Sequence, residues 1–296
     1  MSIRRIVAAT DFSHASHLAV QRASRLAAAH GAALHVVTAL PANWREELRA
    51  WFAGAQLQDD AAVIRRRLAE CAAQAAGAAS VVHEVLEGDP RDAVAAYADR
   101  VQAHLVVVGA HGRSLVGEAV LGSTALALME RCDAPILVVR NDAAQAYRRV
   151  LVGVAGSRAC AQAVRFAAAL CPGTDLTLLH AYEDPFAAEL FLGQANPDAE
   201  AYYRGRARVQ AQQALDGFLA GLGPTAERCH ALLAYGPPGV LLANEAQHQR
   251  ADLVVLGSRS KGRLEAALLG SVASNVALMV TADVLLVRER AGEAAD

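Results

Sequence analysis

The segment LVVVGAHGRSLVGEAVLGST, residues 105–124, predicts a buried strand, a glycine-bearing loop and the start of a helix. Four consecutive apolar residues, Leu105–Val108, are typical of a strand that is buried on both faces of a parallel sheet. The glycines at Gly109, Gly112 and Gly122 would let the backbone come close to an anion, because they carry no Cβ. A helix N-terminus after such a loop presents unpaired N–H groups and a positive dipole. We therefore expect this segment to bind a phosphate group.

The same pattern recurs in the second half of the chain. The apolar run Leu253–Leu256 leads into Gly257, and Gly270-Ser271 again precedes an apolar helical stretch. Self-similarity over a distance of one domain length indicates a duplication. We predict a first domain at residues 1–141 and a second domain at residues 146–296, joined by a short polar linker.

Predicted strands alternate with predicted helices in both halves. The first half begins with the strand Arg5–Ala9, and Ser13 is the expected N-cap of a helix that ends at Gly31. In the second half we expect a long helix from Arg206 to Leu222. The alternation implies an α/β class with two tandem, doubly wound parallel sheets of Rossmann-like type. We expect the duplicated domains to pair about a pseudo-twofold axis, as a homodimer would.

The composition fits two soluble domains and excludes some partners. Of 296 residues, 54% are hydrophobic and only 5% are aromatic, so the cores depend on Ala, Val and Leu. A net charge of −2, with no stripe of Lys and Arg, gives no electrostatic argument for nucleic acid. No apolar run reaches the roughly 18 residues that a membrane span requires. We expect a cytoplasmic protein that contacts neither nucleic acid nor membrane.

The sequence shows no pattern of a catalytic or metal centre. The five cysteines have no CxxC spacing, and the ten histidines form no HExxH motif. No spacing suggests a Ser-His-Asp arrangement or a pair of catalytic carboxylates. We therefore predict no catalytic residue and no metal ligand.

These residues resemble the universal stress protein family in its tandem form, and the resemblance covers essentially the whole chain. Family members that bind ATP carry Gly-x2-Gly-x9-Gly-Ser/Thr after the fourth strand and an Asp just after the first. The first half matches at every position of this motif, with Asp11, Gly109, Gly112, Gly122 and Ser123. The resemblance implies an ATP-binding protein with a regulatory or protective role in the stress response.

The resemblance also implies roles for individual residues. Asp11 and the backbone of Val36 would meet adenine and ribose, and Gly109 would lie beside the ribose. The residues that would hold the phosphates are Gly112, Arg113, Gly122, Ser123 and Thr124. Mg²⁺ would arrive with the phosphates rather than bind to the protein alone.

The second half departs from the motif at two positions. Ala155 stands where the Asp is expected, and Ser260 replaces the middle glycine. The motif residues Gly257, Gly270 and Ser271 remain. We therefore expect the nucleotide mainly in the first half, with a weaker anion site in the second half left open.

Two other functions stay open. The connections after the second strand of each half contain seven of the 14 Phe, Trp and Tyr residues, which would suit a scaffold or a chaperone-like binder without a nucleotide. These residues are Trp44, Trp51, Phe52, Phe186, Phe191, Tyr202 and Tyr203. The second alternative is a slow ATPase, although no residue is placed as a general base. The sequence identifies no protein partner, and it leaves open whether two chains form a homodimer.

Overall fold

The computed structural model describes residues 2–40, 60–74, 77–112, 121–142, 145–183, 197–258 and 271–289. The chain divides into two compact units. The first contains Met1–Ala146 together with Asp283–Leu286 from the far end of the chain, and the second begins at Tyr147. Strands alternate with helices in each unit, as the sequence predicts for the α/β class.

The first unit is built on a parallel sheet with strand order β3-β2-β1-β4-β5. Its strands are β1 (Arg5–Ala9), β2 (Ala33–Leu40), β3 (Ser80–Glu87), β4 (Leu105–Gly109) and β5 (Ile136–Val139). Its helices include α1 (His14–His30), α2 (Asp60–Ala73), α3 (Pro90–Arg100) and α4 (Ser123–Arg131). The strand order reverses between β1 and β4, so the carboxyl ends of these two strands form the switch point at which such sheets bind ligands.

One strand in the first unit departs from the expected parallel sheet. The strand β10 (Asp283–Arg288) lies antiparallel to β5, with Leu285 opposite Leu137. Both strands are apolar runs that are buried along almost their whole length, so each needs a neighbour on its free edge. The sheet of the first unit is therefore mostly, and not wholly, parallel.

The second unit repeats the alternation around a parallel sheet with order β9-β6-β7-β8. Its strands are β6 (Val150–Val154), β7 (Leu176–Tyr182), β8 (Cys229–Tyr235) and β9 (Leu253–Ser258). Its helices include α5 (Arg158–Leu170), α6 (Pro197–Gly221), α7 (Pro238–His248) and α8 (Ser271–Met279). Helix α6 begins at Pro197, well before the predicted Arg206, because proline is tolerated in the first turn and the following residues include good helix formers.

Helix α1 begins and ends as its sequence predicts. The Ser13 side chain accepts a hydrogen bond from the backbone N–H of Ser16, and Gly31 ends the helix with φ 60°, in the left-handed region. The face packed on the sheet contains Ala19, Ala23 and Ala27, all of which are fully buried. Small side chains on this face let the helix lie close to the sheet.

A buried ion pair connects α1 to β10. The Nε atom of Arg22 lies 3.4 Å from Oδ2 of Asp283, and the two side chains are 5% and 0% exposed. The other Asp283 oxygen accepts hydrogen bonds from the backbone N–H groups of Arg140 and Asn141, at 2.8 and 3.0 Å. Arg22 also donates to two backbone carbonyls of the linker after β5, at 2.6 and 3.1 Å. The charges are thus balanced by a connected network, as buried charges require.

The substitution Asp283→Ala should destabilise the first unit by about 3–5 kcal/mol, because it leaves the Arg22 charge buried without its carboxylate. Urea denaturation would measure the decrease in the free energy of unfolding. The matched control is Glu70→Ala, which removes the exposed carboxylate of the Arg66–Glu70 pair and should leave the unfolding midpoint nearly unchanged. Equal midpoints for Asp283→Ala and the wild type would contradict this account of the ion pair.

A second polar cluster lies between β2 and α3. The Nδ1 atom of His35 is 2.9 Å from the hydroxyl oxygen of Tyr97, and the Arg100 guanidinium lies 4.7 Å from the centre of the Tyr97 ring. Arg100 also donates to Glu84 at 2.6 Å. Burial lowers the pKa of His35; the nearby Arg5 charge lowers it further, and Glu84 opposes the shift.

This lowered pKa predicts a pH dependence of stability. The unfolded chain takes up the proton of His35 at a higher pH than the folded chain does, so the free energy of unfolding should decrease as the pH falls below the ordinary histidine value of 6.5. The variant His35→Gln should show a smaller decrease between pH 7 and pH 5.5. The exposed His83→Gln is the control, and identical pH profiles for wild type and His35→Gln would refute the prediction.

Candidate ligand site

The candidate site lies at the switch point of the first unit. Asp11 follows the end of β1, Gly109 ends β4, and the two strands are direct neighbours in the sheet. Helix α4 begins at Ser123, after the loop that leaves β4. The structure therefore places the predicted carboxylate and the predicted glycine segment at the same edge of one sheet, as expected for strands that run in parallel.

Asp11 is held in a turn with several internal hydrogen bonds. Its Oδ1 atom accepts from the backbone N–H of Ser13 at 3.0 Å, and the N–H of Phe12 donates to the Thr10 hydroxyl at 3.0 Å. Phe12 has φ 62°, an uncommon value for a residue other than glycine. The buried hydroxyls of Thr10 and Ser16 are 3.0 Å apart. The carboxylate is thus fixed in direction while its side chain remains partly exposed.

Gly109 allows a close approach between β4 and α1. A Cβ atom at this position would lie 2.6 Å from the carbonyl carbon of Ala15 and 2.8 Å from the backbone nitrogen of Ser16. Neither backbone atom can move without displacing the first turn of the helix. Gly109 therefore has a packing reason to be glycine that is independent of any ligand.

Gly112 lies directly beside the Asp11 carboxylate. A Cβ atom on Gly112 would be 3.2 Å from Oδ2 of Asp11, closer than most Cβ contacts in proteins. The φ angle of Gly112 is outside the left-handed region, so the position does not need glycine for its backbone conformation. Glycine suits this position because its missing Cβ leaves space for the Asp11 carboxylate.

Gly122 closes the loop and caps α4. Its N–H donates to the Ala110 carbonyl at 2.7 Å, and a Cβ here would lie 3.2 Å from that same oxygen. As the N-cap residue, Gly122 has no side chain that could bind the first N–H groups of the nine-residue helix. Ser123 is exposed and Thr124 is partly exposed at this end. The helix N-terminus can therefore accept an anionic group.

His111 adds an unsatisfied polar atom to the loop. Its Nδ1 atom is shielded from solvent and makes no hydrogen bond within the described part of the chain. A buried polar atom without a partner costs about 1–3 kcal/mol, so such positions often bind a ligand or a water molecule. Together with the N-terminus of α4, this nitrogen makes the segment suitable for a phosphate-bearing group.

Val36 lies inside the sheet. Its side chain is fully buried, and its backbone is in register with Ala8 on one side and His83 on the other. Only backbone atoms of Val36 could therefore reach a ligand, and its predicted contact with adenine remains a prediction.

Several residues singled out in the sequence lie outside the described residues. They are Arg113, Gly270, Ser260, Trp44, Trp51, Phe52, Phe186 and Phe191. Of the aromatic residues in the connections, Tyr202 and Tyr203 are described. Both belong to α6, with exposed fractions of 60% and 39%, and their rings are in edge contact with centres 5.6 Å apart.

The second unit forms the same turn without a carboxylate. Gly156 has φ 68° at the position of Phe12, and Ser157 caps α5 by accepting a hydrogen bond from the backbone N–H of Cys160 at 3.3 Å. The backbone N–H of Ala155, at the position of Asp11, donates to the Cys160 sulfur at 3.3 Å. A turn of this shape can therefore form without an Asp side chain when glycine occupies its left-handed position. The glycine at position 156 is the sequence signal for a left-handed residue at this place in the turn.

The close approach of strand and helix also recurs in the second unit. A Cβ on Gly257 would lie 2.6 Å from the carbonyl carbon of Ala159, the same contact that Gly109 makes. Gly257 therefore has the same packing role, and its presence does not by itself indicate a second anion site. Ser271 is the first residue of α8, which the sequence predicts, but Gly270 before it is not described.

The described residues contain neither a candidate metal site nor a candidate membrane-spanning helix. They contain no group of three or more His, Cys, Asp or Glu residues that could hold a metal ion. Within the same ranges, none of the helices combines the length and the apolar character that crossing a membrane requires.

Comparison with solved structures shows the class of fold. A universal stress protein from Archaeoglobus fulgidus superimposes with a TM-score of 0.68 over 96% of this chain and 98% of its own, at 17% identity. A second structure, of a putative universal stress protein from Pseudomonas aeruginosa, gives a TM-score of 0.63 at 20% identity and covers 97% of this chain and 93% of its own. The chain thus has the tandem α/β fold of these proteins.

Sequence comparison identifies the family. The profile of the universal stress protein family matches residues 2–140 and again residues 146–288, so the chain belongs to this family. A universal stress protein of Mycobacterium tuberculosis is 30% identical over 304 aligned positions, which cover 96% of each chain. A structure described as a universal stress protein in complex with cAMP is 29% identical over 47% of this chain and 98% of its own, with a TM-score of 0.37.

The packing role of Gly109 predicts that replacing Gly109 or Gly257 by alanine destabilises the two units equally. Gly109→Ala and Gly257→Ala should each destabilise their own unit by about 1–3 kcal/mol, because the added Cβ meets backbone and not a flexible side chain. Calorimetric unfolding would measure both variants. Gly205→Ala on α6 is the control, since nothing lies within 4 Å of its Cβ position. If Gly257→Ala leaves the unfolding temperature unchanged, the contact that Gly257 shares with Gly109 does not explain why glycine occupies position 257.

Proposed function

We propose that the first unit binds an adenine nucleotide, with ATP as the expected ligand, and that this binding controls a regulatory or protective role in the stress response. The observation that carries the proposal is the Asp11 carboxylate. The second unit forms the equivalent turn with Ala155, and with Gly156 in the place of Phe12, so a turn of this shape can form without a carboxylate. A partly exposed carboxylate at the switch point of the sheet is a candidate for ligand binding.

The chemistry of the site suits the two ends of a nucleotide. The Asp11 carboxylate accepts hydrogen bonds, so it would bind the hydroxyl groups of ribose or the amine of adenine. The N-terminus of α4 would bind phosphate, with the Ser123 and Thr124 hydroxyls beside it and the Arg113 charge nearby in sequence. Mg²⁺ would be held by the phosphates and would offset their charge.

Binding, and not turnover, is the proposed role. We assign no general base, because the carboxylate of Asp11 is committed on one side to the N–H of Ser13. A slow hydrolysis of bound ATP is the alternative that a phosphate-release assay would detect. If the wild type releases phosphate faster than a Gly122→Val variant, the ATPase alternative is favoured.

The exposed tyrosines favour a second candidate function. Tyr202 and Tyr203 present aromatic surface on α6, and Val209 on the same helix is 57% exposed. Such a surface would suit a binder of other proteins that needs no nucleotide. For this alternative, the variant Asp11→Ala would retain partner binding, whereas a nucleotide-dependent regulator would lose it.

The direct test is ATP binding to Asp11→Ala, measured by isothermal titration. Loss of a hydrogen bond to a charged group should weaken the affinity about tenfold or more. The turn should survive, because the hydrogen bonds from Phe12 to Thr10 and from Ser16 to Ser13 remain. Asp216→Ala on α6 is the control, because it removes an exposed carboxylate from the other unit. Competition with cAMP would separate ATP from a cyclic nucleotide. A wild-type protein that binds no adenine nucleotide would refute the proposal.

A further inference from the structure

We propose that the outer edge of strand β8 is an interface between two copies of this chain. The two β8 strands pair antiparallel about a twofold axis, so that Leu232 of one copy lies opposite Leu232 of the other. The interface belongs to the second unit and is independent of nucleotide binding by the first.

The outer edge of β8 presents backbone groups that can form a further strand pair. β8 is the last strand of its sheet and, among the described residues, pairs with β7 alone. The N–H of Gly236, directly after β8, donates to the Tyr182 carbonyl of β7 at 2.9 Å. Because the direction of the backbone groups alternates along a strand, the N–H and C=O groups of Ala231, Leu233 and Tyr235 point away from β7.

The side chains of β8 do not protect this edge. Residues 229–235 read CHALLAY, in which His230 is the only side chain that titrates near neutral pH. Leu232 and Tyr235 are 36% and 39% exposed. Proteins protect exposed edges with charged residues, proline or bulges, because an unprotected edge pairs with another strand. β8 contains no Lys, Arg, Asp, Glu or Pro, and its register with β7 is continuous, without a bulge.

The outer strand of the first unit, β3, is protected in this way. It also exposes apolar residues, with Val81 at 37% and Val82 at 42%. However, β3 carries Glu84 and Glu87, and Glu84 accepts a hydrogen bond from Arg100 at 2.6 Å. Two β3 strands that paired about their middle would bring the Glu84 carboxylates of both copies close together, and like charges in such positions are destabilising. Self-pairing is therefore favoured at β8 and disfavoured at β3.

The position of Leu232 determines the register of the pair. Leu232 is the middle residue of β8, so an antiparallel pair centred on it overlaps the whole strand. Its backbone groups face β7, so the two Leu232 residues form a non-hydrogen-bonded pair, in which the Cα atoms are about 4.5 Å apart and the side chains are close. The outward backbone groups of Ala231 then meet those of Leu233 in the other copy. Under a twofold axis each of these contacts occurs twice.

This register also brings opposite charges to the same end of the pair. The Arg204 guanidinium lies 4.8 Å from the centre of the Tyr235 ring. Tyr235 would lie opposite Cys229 of the other copy, and the exposed Glu227 precedes Cys229 by two residues. Arg228 donates to backbone carbonyls of its own unit, so its charge is directed inward. The Arg204 charge of one copy and the Glu227 charge of the other therefore favour an antiparallel arrangement.

Disulfide trapping tests the register. Two cysteines in a non-hydrogen-bonded antiparallel pair, with Cα atoms about 4.5 Å apart, are within the range of a disulfide. Under mild oxidation, Leu232→Cys should convert most of the protein to a cross-linked dimer on a non-reducing gel. The control is Val82→Cys, which places an equally accessible thiol on β3 and should stay at the level of the wild type. No cross-link at position 232, or equal cross-linking of both variants, would overturn the proposal.

Sedimentation velocity tests the association itself. The wild type should form a dimer at micromolar concentration, and Leu232→Lys should weaken the association about tenfold or more, because two lysines then lie opposite each other. Val82→Lys on β3 is the control and should remain dimeric. Ala231→Pro is a second variant: it removes an outward N–H, so it should weaken the dimer and leave the pairing with β7 in place.

Circular dichroism and the unfolding midpoint show whether each variant keeps its fold. A wild type that stays a single chain at millimolar concentration would overturn the proposal. A dimer that resists both β8 variants, or that is lost in Val82→Lys, would overturn it as well. None of these results depends on whether the first unit binds a nucleotide.

Discussion

The close approach of a strand end to the first turn of a helix is the constraint on which the candidate site depends. At Gly109 the backbone of β4 comes so near to Ala15 that a Cβ would lie 2.6 Å from its carbonyl carbon. This contact fixes the start of α1 against β4, and the turn that carries Asp11 directly precedes that start. The segment after β4 then meets the carboxylate at Gly112. The relation between Asp11 and the glycine loop therefore follows from packing, before any ligand is considered.

Because the chain is duplicated, the second unit shows this packing in the absence of the carboxylate. Gly257 and Ala159 repeat the contact of the first unit, and Gly156 repeats the left-handed turn residue. The second half of the sequence lacks both the Asp and the middle glycine, since Ala155 and Ser260 stand at these positions. The two units thus share a scaffold, and they differ at residues of the proposed nucleotide site.

The fold, and the placement of Asp11 and Gly109 at the carboxyl ends of two strands, could be predicted from the sequence, because both depend on short-range patterns. Alternating apolar strands and helices predicted the parallel sheets, and the N-cap Ser13 and the C-cap Gly31 of α1 are confirmed. The antiparallel placement of β10 beside β5 could not be predicted, since it is a pairing between residues far apart in the chain. The network of Asp283 with Arg22 depends on that pairing and could not be predicted for the same reason.

The reason for each glycine could not be predicted either. A sequence shows that Gly109, Gly112 and Gly122 have no side chain, but not which atoms occupy the place of the missing Cβ. The structure gives three different neighbours: a helix backbone, a carboxylate and a carbonyl of the same loop. The general expectation that glycines admit a phosphate did not distinguish these cases.

The most direct test of the central claim is to denature the purified protein and to identify and count the released nucleotides by mass spectrometry. We predict one adenine nucleotide for each chain, because only the first unit keeps the carboxylate. Two nucleotides per chain would contradict the proposed role of Asp11. A chain that releases none, and that shows no binding when ATP is added afterwards, would contradict nucleotide binding altogether.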